Sequence, residues 1–149
     1  HSPGEVTLQE GYDWTNNCQI FFAPSTNQAW MEADFVVDKE EYQGLILSMS
    51  HASDYGKYKL LIDGKPISRV PMTIDFNKTE SAIEPRIFNF YSPELVVSEY
   101  YLGSSTLKSG KHTIRFEQVG ADPCSAGHAL GFDSFRLMKR WNKKRVPLT

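Results

Sequence analysis

Between Tyr42 and Ile67 the chain alternates apolar and polar positions in two runs separated by a turn. Leu45, Leu47 and Met49 alternate with Ile46, Ser48 and Ser50, the period of two expected of a strand with one face in a core. Tyr58, Leu60 and Ile62 repeat the pattern. Ser53-Asp54-Tyr55-Gly56 between them has turn chemistry: Asp bonds its own backbone and Gly admits positive φ. The two runs are predicted to pair as a hairpin onto which the other strands add. Asp63-Gly64 predicts a second turn at its far end.

The flanking segments read the same way. Val6 and Leu8 against Thr7 and Gln9 predict an edge strand near the start, and Cys18 to Phe22 a second strand closed by Ala23-Pro24-Ser25-Thr26-Asn27. From Trp30 to Val37, Met31, Ala33, Phe35 and Val37 alternate with Trp30, Glu32, Asp34 and Val36, as a half-buried strand requires. Residues 68–85 are irregular apart from a short run at Met72–Phe76, and so long an excursion in a β-domain is a place for function. Strands follow at 86–91, 95–102 and 112–119, the last with Ile114 and Phe116 inward, and a turn is expected from Gly103 to Gly110. In the closing run ALGFDSFRL the inward set shifts from Leu130 and Phe132 to Phe135 and Leu137, which predicts a bulge at Asp133-Ser134. No segment has a helical period. Eight or nine short strands with turns between them predict an all-β fold, an antiparallel β-sandwich or jelly roll.

Composition fits a single domain. The 149 residues, 40% hydrophobic, suffice for a core without metal or disulfide staples. The domain is expected to span 1–138, followed by a basic tail at 139–149. That tail holds five Lys/Arg and no acid, leaving 11 basic against 18 acidic residues in the body. It reads as solvated linker rather than a grip on nucleic acid or lipid. No apolar run approaches the roughly 20 residues of a membrane span, and the start does not resemble a signal peptide. The chain therefore reads as a module of a longer protein, with any targeting signal upstream. Asn77-Lys78-Thr79 is a formal glycosylation sequon that we read as chance. Cys18 and Cys124 are two buried thiols or one long-range disulfide, and export would favour the bridge.

Four stretches carry a resemblance: WMEADF, YQGLILSMSHASDYGKYKLLIDGKPI, YYLGSSTLKSGKHTIRFEQVG and ALGFDSFRL. In this order they resemble the jelly-roll accessory modules of bacterial carbohydrate-active enzymes. The nearest likeness is to the C-terminal sandwich found with fructofuranosidase-related proteins; carbohydrate-binding modules of families 6 and 35 are more distant. The resemblance covers about residues 30–138. It implies a galactose-binding-like β-sandwich, secreted or periplasmic, attached to a larger glycan-processing protein and not itself catalytic. It also implies that Gly64, Gly110, Asp54 and His112 are framework residues. Modules of families 6 and 35 often hold calcium between an acid of the first strand and one of the last; the counterparts here are Glu10 and Asp133, although calcium wants six to eight oxygens.

Candidate chemistry follows from the residues. Catalysis would draw on His51, Asp54, His112, Glu117, His128 and Asp133, none of them at a nucleophile or metal spacing. An enzyme would need His51, Asp54 and His128 to converge in a pocket. Glycan binding needs aromatic faces that stack on sugar C–H surfaces and polar groups for the hydroxyls. Tyr12, Trp14, Trp30 and Tyr55 are the aromatic candidates, and His51, Asp54 and His128 the polar ones. Trp30 reads more readily as a core flank or domain contact, and Trp141 as a domain contact. Tyr55 is either a platform at a loop tip or a lid folded onto the GADPCSAG loop. The expected partner is therefore carbohydrate or a neighbouring catalytic domain, with no cofactor other than the calcium just named.

Overall fold

The computed structural model describes residues 1–67 and 85–139. The expected strand at 72–76, the sequon at 77–79, Trp141 and the basic tail beyond position 139 lie outside the described residues. Ten strands are formed among those described: β1 (Gly4–Glu10), β2 (Cys18–Pro24), β3 (Trp30–Val37), β4 (Glu41–His51), β5 (Lys57–Ile62), β6 (Lys65–Pro66), β7 (Ile87–Asn89), β8 (Val96–Leu107), β9 (Gly110–Gly120) and β10 (Leu130–Lys139). They make two antiparallel sheets, the first in the order β1-β2-β10-β4-β8 and the second β3-β9-β5-β6, with β7 also beside β5. The only helical segment described is a 3-10 turn at Thr15–Asn17. This is the expected all-β jelly-roll sandwich.

Alternation builds the core. Leu45, Leu47 and Met49 of β4, Leu130 and Phe132 of β10 and Phe22 of β2 join Met31, Tyr58, Leu60, Ile114 and Phe116 of the second sheet in one buried cluster. Ring contacts tie the sheets together, among them Phe116 to Phe132 at 5.4 Å, Phe35 to Phe135 at 4.8 Å and Phe88 to Tyr100 at 5.2 Å between centroids. The bulge lies where the pattern placed it: Phe132 pairs with Met49 and Ser134 with Ser48, which leaves Asp133 as the extra residue.

Two expectations are corrected. β4 and β5 do not pair; they lie in different sheets, and Ser53–Gly56 carries the chain from one to the other. A period of two records only that a strand has a buried face, and partners within one sheet or across a sandwich satisfy it equally. β4 pairs instead with β8 and β10. The tight hairpin is at Asp63-Gly64, where Ile62 pairs with Lys65 and the two turn residues have φ of 51° and 80°, the signature of a primed two-residue turn. β8 also runs on to Leu107 rather than turning at Gly103. Gly103, at φ 108°, sits beside an irregularity opposite Leu45/Ile46, so the glycine marks a bulge within a strand and not its end.

Candidate functional site

On the outer face of the first sheet, residues 11–17 form a strap. Gly11, Asn16 and Asn17 have positive φ, a conformation that Gly and Asn tolerate best. They let the chain leave β1, cross the sheet and return to β2. Thr15 is fixed to β10: its N–H donates to Asp133 Oδ1 at 2.7 Å and its hydroxyl to Asp133 Oδ2 at 3.2 Å. Trp14 Nε1 donates to Ser50 Oγ of β4 at 2.8 Å, and the Tyr12 hydroxyl to the Leu95 carbonyl just before β8 at 2.9 Å. Three strands are thus spanned by four residues.

Beneath the strap lies a buried polar network. Ser50 Oγ donates to Gln19 Oε1 at 2.6 Å, and Gln19 Nε2 donates to Gln9 Oε1 at 2.8 Å and to the Tyr55 hydroxyl at 3.1 Å. Each of these groups has a partner, as burial requires. The Tyr55 ring lies against Gly131 and Phe21 on this same face. Burial raises its hydroxyl pKa, only partly offset by the Gln19 hydrogen bond.

Beyond the strap the outer face presents exposed side chains at Glu99, Tyr101 and Arg136. By strand alternation Glu99 and Tyr101 of β8, Ile46 of β4 and Ser134 and Arg136 of β10 share it. Arg136 Nη2 donates to Glu99 Oε2 at 2.9 Å, and both side chains are exposed. Tyr101 lies over Gly44, its hydroxyl bonded to Ser104. Tyr12 and Tyr101 are 37% and 39% exposed. Leu95, whose carbonyl anchors the Tyr12 hydroxyl, precedes Tyr101 by six residues, about 20 Å at the usual strand rise. A face with a ring near each end and a charged pair between can stack sugar rings and bond their hydroxyls.

Of the expected site residues, the structure brings together Tyr12, Trp14 and Asp133, but Trp14 is buried as an anchor. Tyr55, expected at a loop tip, is only 3% exposed; its backbone joins the 121–129 loop, with Gly56 N–H donating to Ala129 O and Ser125 Oγ to Tyr55 O. It serves as a lid and offers no platform. Trp30 is on the opposite sheet, its ring 4.2 Å below the Arg115 guanidinium. Glu117 stands there too, ion-paired to Lys59 and Arg115; burial pushes its pKa up, but those hydrogen bonds outweigh it and the net shift is down. Asp54 and His128 are exposed on the connecting loops, with His128 Nδ1 at 2.7 Å from Gln118 Nε2. His51 is buried against Phe90 and Tyr100, its Nε2 bonded to the Tyr100 hydroxyl and its Nδ1 without a partner among the described residues. His51 is thus buried, whereas Asp54 and His128 are exposed on the loops. His112 is framework: it bonds Asp63 at 2.6 Å and the Lys108 carbonyl at 2.7 Å.

Calcium does not fit its expected residues. Both oxygens of Asp133 are engaged, the second also by Ser48 Oγ at 2.7 Å, and Glu10 is exposed at the end of β1 opposite Cys18. No cluster of three or more His, Cys, Asp or Glu occurs among the described residues. Neither alternative for the cysteines is found: Cys18 and Cys124 are both free, so they are not bridged, and with Cys18 half-buried and Cys124 exposed they are not two buried thiols. Cys18 lies beyond the Ile20–Phe132 pair, whereas Cys124 precedes Leu130; the register sets them at different levels of the sheet.

Glu99, Tyr101, Arg136 and Thr15 were missed. Glu99 and Tyr101 did alternate with Tyr100 in a predicted strand, but nothing in the sequence said which of its faces was covered.

No protein-family model and no curated protein matches the chain. Solved structures do. A xanthan lyase from Paenibacillus aligns at 15% identity over 93% of this chain, with a TM-score of 0.73. A family 35 carbohydrate binding module from Clostridium thermocellum aligns at 12% identity over 93%, with a TM-score of 0.53. An uncharacterized Listeria monocytogenes protein, in complex with glucose, magnesium and calcium, aligns at 14% over 91%, with a TM-score of 0.52. This chain spans 12% of the lyase and 11% of the Listeria protein, but 90% of the family 35 module. At these identities the likeness is one of fold, the antiparallel β-sandwich that this chain shares with them.

Proposed function

We propose that this chain is a noncatalytic carbohydrate-binding module of a secreted or periplasmic glycan-processing protein, and that it takes glycan on the outer face of the first sheet. One observation carries the reading: Tyr12 and Tyr101, each more than a third exposed, flank the exposed Glu99–Arg136 pair on one sheet face. A fold shared with a family 35 carbohydrate binding module supports it. A glycan array with the purified protein, followed by titration calorimetry, tests it. Tyr12→Ala and Tyr101→Ala are each expected to weaken binding about tenfold, about 1.4 kcal/mol, and no sugar should be released. A silent array, or affinity unchanged in both variants, overturns the proposal.

A second reading, packing against a neighbouring catalytic domain, has its own observation. Val36, Ile87 and Val119 are exposed on the outer face of the second sheet. They surround the Glu32, Arg115, Glu117 and Lys59 ion pairs. Apolar residues scattered around a charged centre are the reverse of the apolar centre and polar rim of a packed interface, so the glycan reading is preferred.

A further inference from the structure

We propose that Asp133 is a positioning residue: by hydrogen bonds alone, with no cation, it latches the 11–17 strap across the first sheet and so holds Tyr12 at the glycan face. The part that concerns glycan rests on the reading above; the latch itself does not.

The bulge is what makes the latch. An extra residue between Phe132 and Ser134 turns the Asp133 carboxylate onto the outer face beside Ser48 and Ser134. There it receives three hydrogens, from the Thr15 N–H, the Thr15 hydroxyl and the Ser48 hydroxyl. Hydrogen bonds to a carboxylate are roughly twice as strong as neutral ones. A backbone N–H can only donate, so the Thr15 N–H at 2.7 Å takes one lone-pair direction of Oδ1. The Thr15 and Ser48 hydroxyls both bond Oδ2. The acid that the family analogy would make a calcium ligand here fastens a segment of its own chain.

Movement at Thr15 reaches Tyr12 because the strap is stiff. Trp14 N–H donates to Tyr12 O and Asn17 N–H to Trp14 O, both at 2.8 Å, and the Tyr12 and Trp14 rings meet at 5.3 Å between centroids. Releasing Thr15 frees the end of the strap nearest β10. Without Asp133, Trp14 on Ser50, Tyr12 on Leu95 and the long 3.4 Å contact of the Thr15 hydroxyl with Ser134 Oγ remain as side-chain anchors of the strap among the described residues.

Chymotrypsin reads the latch directly, since Tyr12 and Trp14 are its cleavage residues and the strap must lift to be cut. Wild type is expected to resist nicking at these two sites equally in EDTA and in millimolar calcium. Asp133→Ala should be nicked at least tenfold faster with its far-UV sheet spectrum retained. Thr15→Ser should behave as wild type and Thr15→Val should be faster, a pair that judges the latch even if the Asp133 variant fails to fold. On a glycan ligand, Asp133→Ala should lose affinity as Tyr12→Ala does, and the double variant should lose no more than either. Nicking of wild type that EDTA induces and calcium reverses would make Asp133 a metal ligand and overturn the proposal. So would unchanged nicking in both Asp133→Ala and Thr15→Val. A silent glycan array leaves the nicking result intact and removes only the functional reading.

Discussion

At Gly131 an added methyl group would arrive 2.6 Å from the Tyr55 hydroxyl and 2.6 Å from Gln19 Oε1, so the ring and the network it joins exist because that position has no side chain. Gly131→Ala is expected to cost about 1–3 kcal/mol by overpacking, read from urea unfolding. Tyr55→Ala should lose about 3 kcal/mol, as truncation of a buried aromatic does, and Tyr55→Phe about 1–3 kcal/mol because one Gln19 donor is stranded. Both alternatives for Tyr55 could be framed from the DYG turn. Its burial could not be decided there, because Gly131 lies 76 residues away. His51 supplies a pH prediction. Burial lowers its pKa below 6.5, so the unfolded chain takes the proton first. Stability is present above pH 6.5 and falls as pH drops below it toward the folded value. His112 acts oppositely: the Asp63 hydrogen bond raises its pKa, and its contribution is lost as pH rises through the raised value. Urea midpoints between about pH 5 and pH 7 should therefore show an acid-side loss in wild type that shrinks in His51→Gln; an equal loss in both would exclude His51 as its source.

Elements were more legible than side-chain partners. Strand β3 has the bounds its alternation predicted, and the bulge in β10 was visible as a shift of the inward set. What alternation could not supply was pairing: the turn between β4 and β5 joins two sheets, while the turn at Asp63-Gly64 joins two strands of one. The glycines separate these cases. Gly64 has φ of 80° and nothing within 4 Å of an added methyl, so Gly64→Ala meets only the left-handed backbone penalty and should cost about 1–2 kcal/mol. At Gly56 the methyl would lie 3.1 Å from His128 Cα and 3.2 Å from the His128 and Gly120 carbonyl oxygens, all backbone. Gly56→Ala should therefore destabilise more than Gly64→Ala, and its chemical-shift changes should reach residues 120–129. The reverse order would mean that the 53–56 and 121–129 loops are not locked together.

On the scale of the whole molecule, the candidate face combines residues 12, 99, 101 and 136 across β1–β2, β8 and β10. Sequence reading reached only Tyr12, because strands neighbouring in the sheet are distant in the chain and period two does not say which face is covered. The same geometry decides the cysteines. An exported protein with two thiols is a fair candidate for a bridge, and closing a loop of this length contributes roughly 5 kcal/mol in the chain-entropy model. The register opposes it. Cys18 starts β2 beyond Ile20, which pairs with Phe132, whereas the loop carrying Cys124 enters β10 at Leu130 and is locked to Ser53 by the Ala126 N–H. Bridging would require β2 to slide along β10, and a slip of one residue turns Phe22 out of the core. Two thiols per chain should therefore titrate in urea with or without prior reduction. In the native state exposed Cys124 should react before half-buried Cys18. Reductant should leave the melting temperature unchanged; a fall that reductant alone produces, with no free thiol before it is added, would show that the two strands adopt a different register.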